Sequence, residues 1–147
     1  MATVWDPAVR ADLARRAQTL TPAHTAKWGK FSVAAMMAHL NEATLMTLGE
    51  LHVAAKAPPF LRLAPVRYLL IHVLPMPKGA PTAPELLARS SSADLATEQA
   101  AFAQLLERLG QATTLAAAHP AFGPMTRKDW GALVHLHVDH HLRQFGA

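Results

Sequence analysis

The sequence predicts an all-α protein: a four-helix bundle with a long proline-rich crossover between its second and third helices. Three observations carry that expectation. Of 147 residues, 51% are hydrophobic and 16% charged, enough apolar material for one ordinary domain spanning 1–147. Alanine and leucine dominate while β-branched residues are sparse, which favours helix over strand. Four segments place apolar residues at helical spacing behind recognisable capping signals.

Asp6-Pro7 opens the first helix, with Asp as N-cap and Pro at the first helical position. Val9, Leu13 and Ala17 follow at spacings of four, and the helix runs to about Gln18. Thr19 to Phe31 is a connection containing Pro22 and Gly29. Ser32 caps a second helix reaching about Leu51, with Val33, Met36, Met37, Leu40, Leu48 and also His39. Its methionines read as flexible core filler. Ala54 to Arg89 holds seven of the eleven prolines, a density that no long regular element survives. Pro65 can start a short helix through His72; the rest is expected to be irregular. So long a connection inside a compact domain is usually functional, as a lid or a pocket wall. Ser91 to Asp94 reads S-x-x-D, a capping-box pattern. It introduces a third long helix with Leu95, Phe102, Leu106 and Leu109 on one face, ended by Gly110. His119-Pro120 to Pro124 is a loop. Thr126 to Asp129 repeats the signature as T-x-x-D and opens the last helix, which extends to about Phe145.

Composition also excludes chemistry. With no cysteine, there is no disulfide, no zinc thiolate site and no cysteine nucleophile. The first residues are broken up by Asp6, Arg10, Asp12, Arg15 and Arg16, so no secretory signal is visible and a cytoplasmic protein is expected. The most apolar run, Phe60 to Pro75, is interrupted by Arg62, Arg67, His72 and prolines, and is too short and too charged to span a bilayer. Contact with a membrane surface is its minor reading, and no membrane partner is expected. Net charge is +4, with scattered lysines and arginines and no aromatic-plus-basic motif, which argues against nucleic acid as a partner.

The densest chemistry is HLHVDHHLRQFG, His135 to Gly146, where four of the nine histidines fall within seven residues. His137 and His141 are four apart and so lie one turn apart on one helix face. Trp130, Val134, His137, His141 and Phe145 share that side, while Asp139 and Arg143 fall opposite, so the pair sits in the buried stripe. Buried imidazoles need partners: a metal ion, or the carboxylates and carbonyls that satisfy ordinary core histidines. His135 and His140 are expected at the rim. A catalytic zinc usually takes three protein ligands and keeps one open position. The best remaining candidate is His39, with small or flexible neighbours Ala35, Met36 and Ala43. His24, His52, His72 and His119 fall in loops or at helix ends, and of these His72 stays open as an alternative.

Two blocks carry a resemblance: WGKFSVAAMMAHL, Trp28 to Leu40, and HPAFGPMTRKDWGALVHLHVDHHLRQFG, His119 to Gly146. They resemble the DUF1569 branch of the DinB-like superfamily, which includes bacterial thiol S-transferases and the mycothiol-dependent maleylpyruvate isomerase. The resemblance implies a four-helix bundle holding a divalent metal through one histidine of the second helix and an H-x-x-x-H pair of the fourth. Those positions are His39, His137 and His141 here. The superfamily run H-x-x-H-H-x-x-Q matches His137, His140, His141 and Gln144. Leu142 stands where the thiol-transferase branches commonly carry arginine. The resemblance also implies a possible homodimer, and it does not imply DNA binding.

Three neutral imidazoles leave the full +2 charge on an ion. A bound water then falls to a pKa near ~7, or an incoming thiol is deprotonated to supply the nucleophile the chain lacks. Arg67, Tyr68 and Lys78 of the crossover are candidates for a wall meeting a carboxylate substrate, or are simply solvated. Gln144, one turn beyond His141, either supports a ligand from behind or faces the open position. Glu42, three residues after His39, is a general-base candidate or an exposed surface residue. The leading expectation is a metal-dependent transferase acting on a small molecule with a low-molecular-weight thiol. The alternatives are a metal-dependent hydrolase, a non-catalytic metal-binding bundle and a core without metal. Zinc suits three imidazoles best, with nickel or iron as alternatives.

Overall fold

Each of the five α-helices in the computed structural model, which describes residues 1–147, begins at a side-chain cap or a proline. In α1 (Pro7–Gln18) the Asp6 carboxylate accepts from the Ala8 N–H at 2.8 Å. In α2 (Val33–Thr47) the Ser32 hydroxyl accepts from the Ala35 N–H at 3.1 Å. The short α3 (Ala64–His72) has no side-chain cap but carries Pro65 in its first turn. Asp94 caps α4 (Leu95–Gln111), accepting from Thr97 N–H at 3.0 Å. A reciprocal capping box between Thr126 and Asp129 opens α5 (Arg127–Gln144).

The chain is all-helical, and its helix count is five where the sequence suggested four. The fifth is α3, inside the crossover, at the place where Pro65 suggested a short helix. Two 3₁₀ turns, Pro59–Arg62 and Pro84–Leu86, are the crossover's only other regular pieces. Three boundaries differ from expectation. α2 stops at Thr47 rather than near Leu51 because Gly49 adopts φ +79°. Gly49 N–H then bonds Met46 O at 3.0 Å and Glu50 N–H bonds Leu45 O at 2.9 Å, a Schellman stop. In α4 the cap is Asp94, not Ser91, and Gly110 lies inside the helix instead of ending it. A Cβ at Gly110 would collide with the Arg10 guanidinium, so this glycine makes room for a neighbouring helix.

α4 packs on α1 and α2, and α5 packs on α1, α2 and α3. Leu13 and Ala17 of α1, Met36 and Leu40 of α2, Phe102 and Leu106 of α4, and Val138 and Leu142 of α5 meet in one core. Burying each of the larger side chains contributes roughly 1.5–3 kcal/mol. α2 is enclosed on nearly every side, with 13 of its 15 residues buried. Its polar residues must therefore find partners inside the protein. Thr44 and Thr47 do so by donating to the carbonyls one turn back, Leu40 at 2.8 Å and Ala43 at 3.0 Å. No helix is long and apolar enough to cross a membrane.

Candidate metal centre

His39 projects from the middle of α2; His137 and His141 project from successive turns of α5, which packs against it. Each of the three offers a ring nitrogen, and these nitrogens all lie within 4.8 Å of one another. The Nε2 atoms of His39 and His137 are 2.9 Å apart. Ring centroids are separated by 4.9, 4.9 and 4.8 Å, with interplanar angles of 85°, 73° and 83°. The rings meet edge-on instead of stacking, so nitrogens can face a common point.

Two outer contacts fix the protons. Leu86 O lies 3.1 Å from His39 Nδ1; a carbonyl only accepts, so Nδ1 carries the hydrogen and Nε2 keeps its lone pair. Gln144 Nε2 donates to Trp28 O at 2.7 Å, which orients its amide, and Gln144 Oε1 accepts from His141 Nδ1 at 2.8 Å. The His141 Nε2 is likewise left as a lone pair. At 2.9 Å the His39 lone pair needs either a proton on His137 Nε2 or a shared cation. Tetrahedral zinc at ~2.0–2.1 Å from each nitrogen places ligand nitrogens roughly 3.3 Å apart, between the shortest and longest separations seen. Three close histidines of this kind can hold a metal ion.

Electrostatics favour the same state. Burial holds His141 down at about 4, helped by the neighbouring His39. Burial also lowers His39, opposed by its Leu86 contact, and lowers His137 well below the usual imidazole range, with His141 and His39 adding to the effect. All three are neutral near pH 7, the form that ligates. Phe31 stacks on His39 (5.3 Å, 26°) and turns its edge to His141 (5.8 Å), closing one side with an apolar wall.

The remaining sequence candidates are distributed around this trio. Gln144 is buried and supports His141 from behind. Glu42 is not a surface residue: it is only 5% exposed, because α2 is enclosed all round. It lies apart from the three imidazoles, in a cluster with Arg89 and Glu98. Arg89 Nε donates to Glu42 Oε1 at 3.2 Å, and both Arg89 Nη groups reach Glu98. Burial pushes the Glu42 carboxyl up while Arg89 pulls it down. His72 is occupied elsewhere, 2.7 Å from Asp129 at the start of α5. His119 Nδ1 accepts from the amides of Ala121 and Phe122. His135 and His140 are half-buried, and His140 packs between Trp28 and His141.

Of the crossover residues, Lys78 sits 4.4 Å over the Trp28 ring. It helps line a cavity of about 450 Å³ with Lys27, Met76, His140 and Arg143. Arg67 instead donates to the carbonyls of Arg62 and Phe122, and Tyr68 is exposed. Three parts of the centre escaped the sequence reading: the Leu86 and Trp28 carbonyls and the Phe31 ring. A backbone carbonyl has no residue-type signature. Phe31, one residue before the α2 cap, was assigned only to the connection.

Searches of curated proteins and of solved structures return no match. A family described as "Protein of unknown function (DUF1569)" matches residues 9–147. That match covers nearly the whole chain, including all three histidines, so the chain belongs to the DUF1569 family.

Proposed function

We propose that the chain is a four-helix bundle of the DinB-like type that holds one divalent ion, zinc first, through His39, His137 and His141. We read it as a metal-dependent transferase that presents a low-molecular-weight thiol to a small-molecule substrate. The observation carrying the metal reading is the convergence of three neutral imidazoles from two helices with the outer protons of two already assigned by Leu86 and Gln144. The pairing of α1, α2, α4 and α5 around one core supports the bundle. An ion held there would act as a Lewis acid, lowering the pKa of a thiol or a water in its open position. The protein's own groups do the rest. Leu86 O and Gln144 Oε1 keep the Nδ1 protons of His39 and His141 in place, and Phe31 excludes water from one side. With no cysteine in the chain, a sulfur nucleophile must arrive with a cosubstrate.

Elemental analysis of protein purified without an affinity tag tests the centre. Close to one ion per chain is expected, and His137→Ala should abolish it; unchanged stoichiometry in this variant refutes the ligand assignment. Added thiol then separates the chemistries. Turnover that requires it supports the transferase, turnover without it supports a hydrolase, and unfolding on chelation with no turnover leaves a structural ion.

A further inference from the structure

Six of the eight exposed large apolar side chains fall between residues 60 and 74: Phe60, Leu63, Tyr68, Leu69, Val73 and Leu74. Each is between 46% and 58% exposed. Within α3 only Ile71 is fully buried; it faces Ala132 and Leu133 of α5. Leu69 lies on the opposite side of the helix and Tyr68 on its flank beside His72, and both are exposed. Scattered exposed apolar groups need no explanation, but a concentration of this kind marks an interaction surface.

Charge is concentrated in the same segment of the chain. Residues 51–84 contain Lys56, Arg62, Arg67 and Lys78 and no aspartate or glutamate, while the rest of the chain balances ten basic against ten acidic residues. The net +4 of the protein is therefore the charge of this one segment. Lys56, Arg62 and Lys78 are exposed and stand before, within and after the apolar run; none is within salt-bridge distance of a carboxylate, although Lys56 acts on Glu85 from further off and Lys78 lies over the Trp28 ring. The first acid beyond the segment, Glu85, accepts from the Ala54 amide at 3.3 Å.

We propose that α3 and its flanks dock on an anionic lipid surface. The apolar side chains enter the boundary between headgroups and acyl chains while Lys56, Arg62 and Lys78 meet lipid phosphates. α3 has nine residues and lies on the surface of the bilayer instead of spanning it. A second copy is a poorer occupant, because a two-fold contact would bring together two copies of a segment that carries four cations and no acid of its own. The six side chains also stand outside the cavity at Trp28, which suits a flat surface better than an inserted peptide.

Vesicle co-sedimentation of the full chain tests the proposal. Phosphatidylcholine vesicles containing phosphatidylglycerol should bind on the order of 100-fold more tightly than phosphatidylcholine alone, from three cations near the surface. Salt should weaken that preference. Leu69→Glu combined with Val73→Glu should abolish binding with the helical circular dichroism unchanged, since both positions are exposed. Lys56→Glu, Arg62→Glu and Lys78→Glu together should remove the preference for phosphatidylglycerol. Absence of binding by the parent chain, or equal binding by the Leu69/Val73 variant, overturns the proposal. So does a concentration-dependent dimer that the same variant disrupts while the parent ignores vesicles.

Discussion

Arg89→Met is a sharp test of how the crossover is anchored. The guanidinium follows the Pro84–Leu86 turn and reaches Glu42 of α2 at 3.2 Å and Glu98 of α4 through two nitrogens, one at 3.2 Å. Both carboxylates are buried, at 5% and 3% exposure. Methionine keeps much of the apolar stem and removes the charge. Besides Arg89, the side-chain donor to this pair is Asn41 Nδ2, 2.6 Å from Glu98 Oε2, and Glu42 Oε2 has no partner even in the parent. Removing one member of a fully buried pair costs about 3–5 kcal/mol. The Arg89 side chain is 45% exposed, so water already screens it, and about 2 kcal/mol is expected. With a urea slope of about 2 kcal/mol/M, the unfolding midpoint at pH 7 should fall by about 1 M. The loss should shrink as pH falls, because burial already raises the Glu42 carboxyl and a protonated acid needs no cation. Zinc affinity should drop about tenfold, since the Leu86 carbonyl that holds His39 lies three residues from the lost anchor. A variant within about 0.5 kcal/mol of the parent at pH 7, or a loss equally large at acid pH, would refute the reasoning.

Three further outcomes follow from the same geometry. Gln144→Leu removes the acceptor of His141 and strands the Trp28 carbonyl; zinc affinity measured against a chromophoric chelator should fall about 10–100-fold, and an unchanged affinity would remove Gln144 from the centre. Gly110→Ala should lower the melting temperature although alanine is the better helix former by up to ~1 kcal/mol. The new methyl meets the Arg10 guanidinium, which donates to Val4 O at 2.8 Å and Trp5 O at 3.1 Å, and overpacking costs about 1–3 kcal/mol; a higher melting temperature contradicts this. Burial holds His119 at about 4, against 6.5 for a free imidazole. Its folded value lies below its unfolded one, so the unfolded chain binds the extra proton: stability is complete above pH 6.5 and is lost as pH falls towards 4. The loss amounts to about 3 kcal/mol. Denaturation of His119→Gln across that window should show a flatter acid limb, and an identical limb would contradict the assignment.

Legibility in the sequence tracked whether the deciding group was a side chain. Asp6, Ser32 and Thr126 announce their helices because a cap is a residue type at a fixed offset, and the starts of α1, α2 and α5 fall where these signals place them. The S-x-x-D pattern made Asp94 the partner of a Ser91 cap, whereas Asp94 itself caps α4. Gly49 and Gly110 look alike as letters. One takes a left-handed φ and the other is needed for its missing Cβ against Arg10, a contact between residues 100 positions apart. The i,i+4 spacing put His137 and His141 on one face, and His39 could be chosen only as a candidate from another helix. The exposed reading of Glu42 fails because α2 has almost no solvated side. The Leu86 contact, 47 positions from His39, lies beyond any local pattern.

That single carbonyl ties the behaviour of an imidazole to a stretch of chain that donates no imidazole itself. If an ion were held at His39, its ligation and the ordering of the Pro84–Leu86 turn would be two faces of one equilibrium. Whatever freed the turn would then weaken the grip on the ion, and the ion would stiffen the turn by the same free energy. Control over loading would then reside in a turn that supplies none of the nitrogens but whose Leu86 side chain shares a buried cluster with Ala43 of α2 and Trp130 of α5.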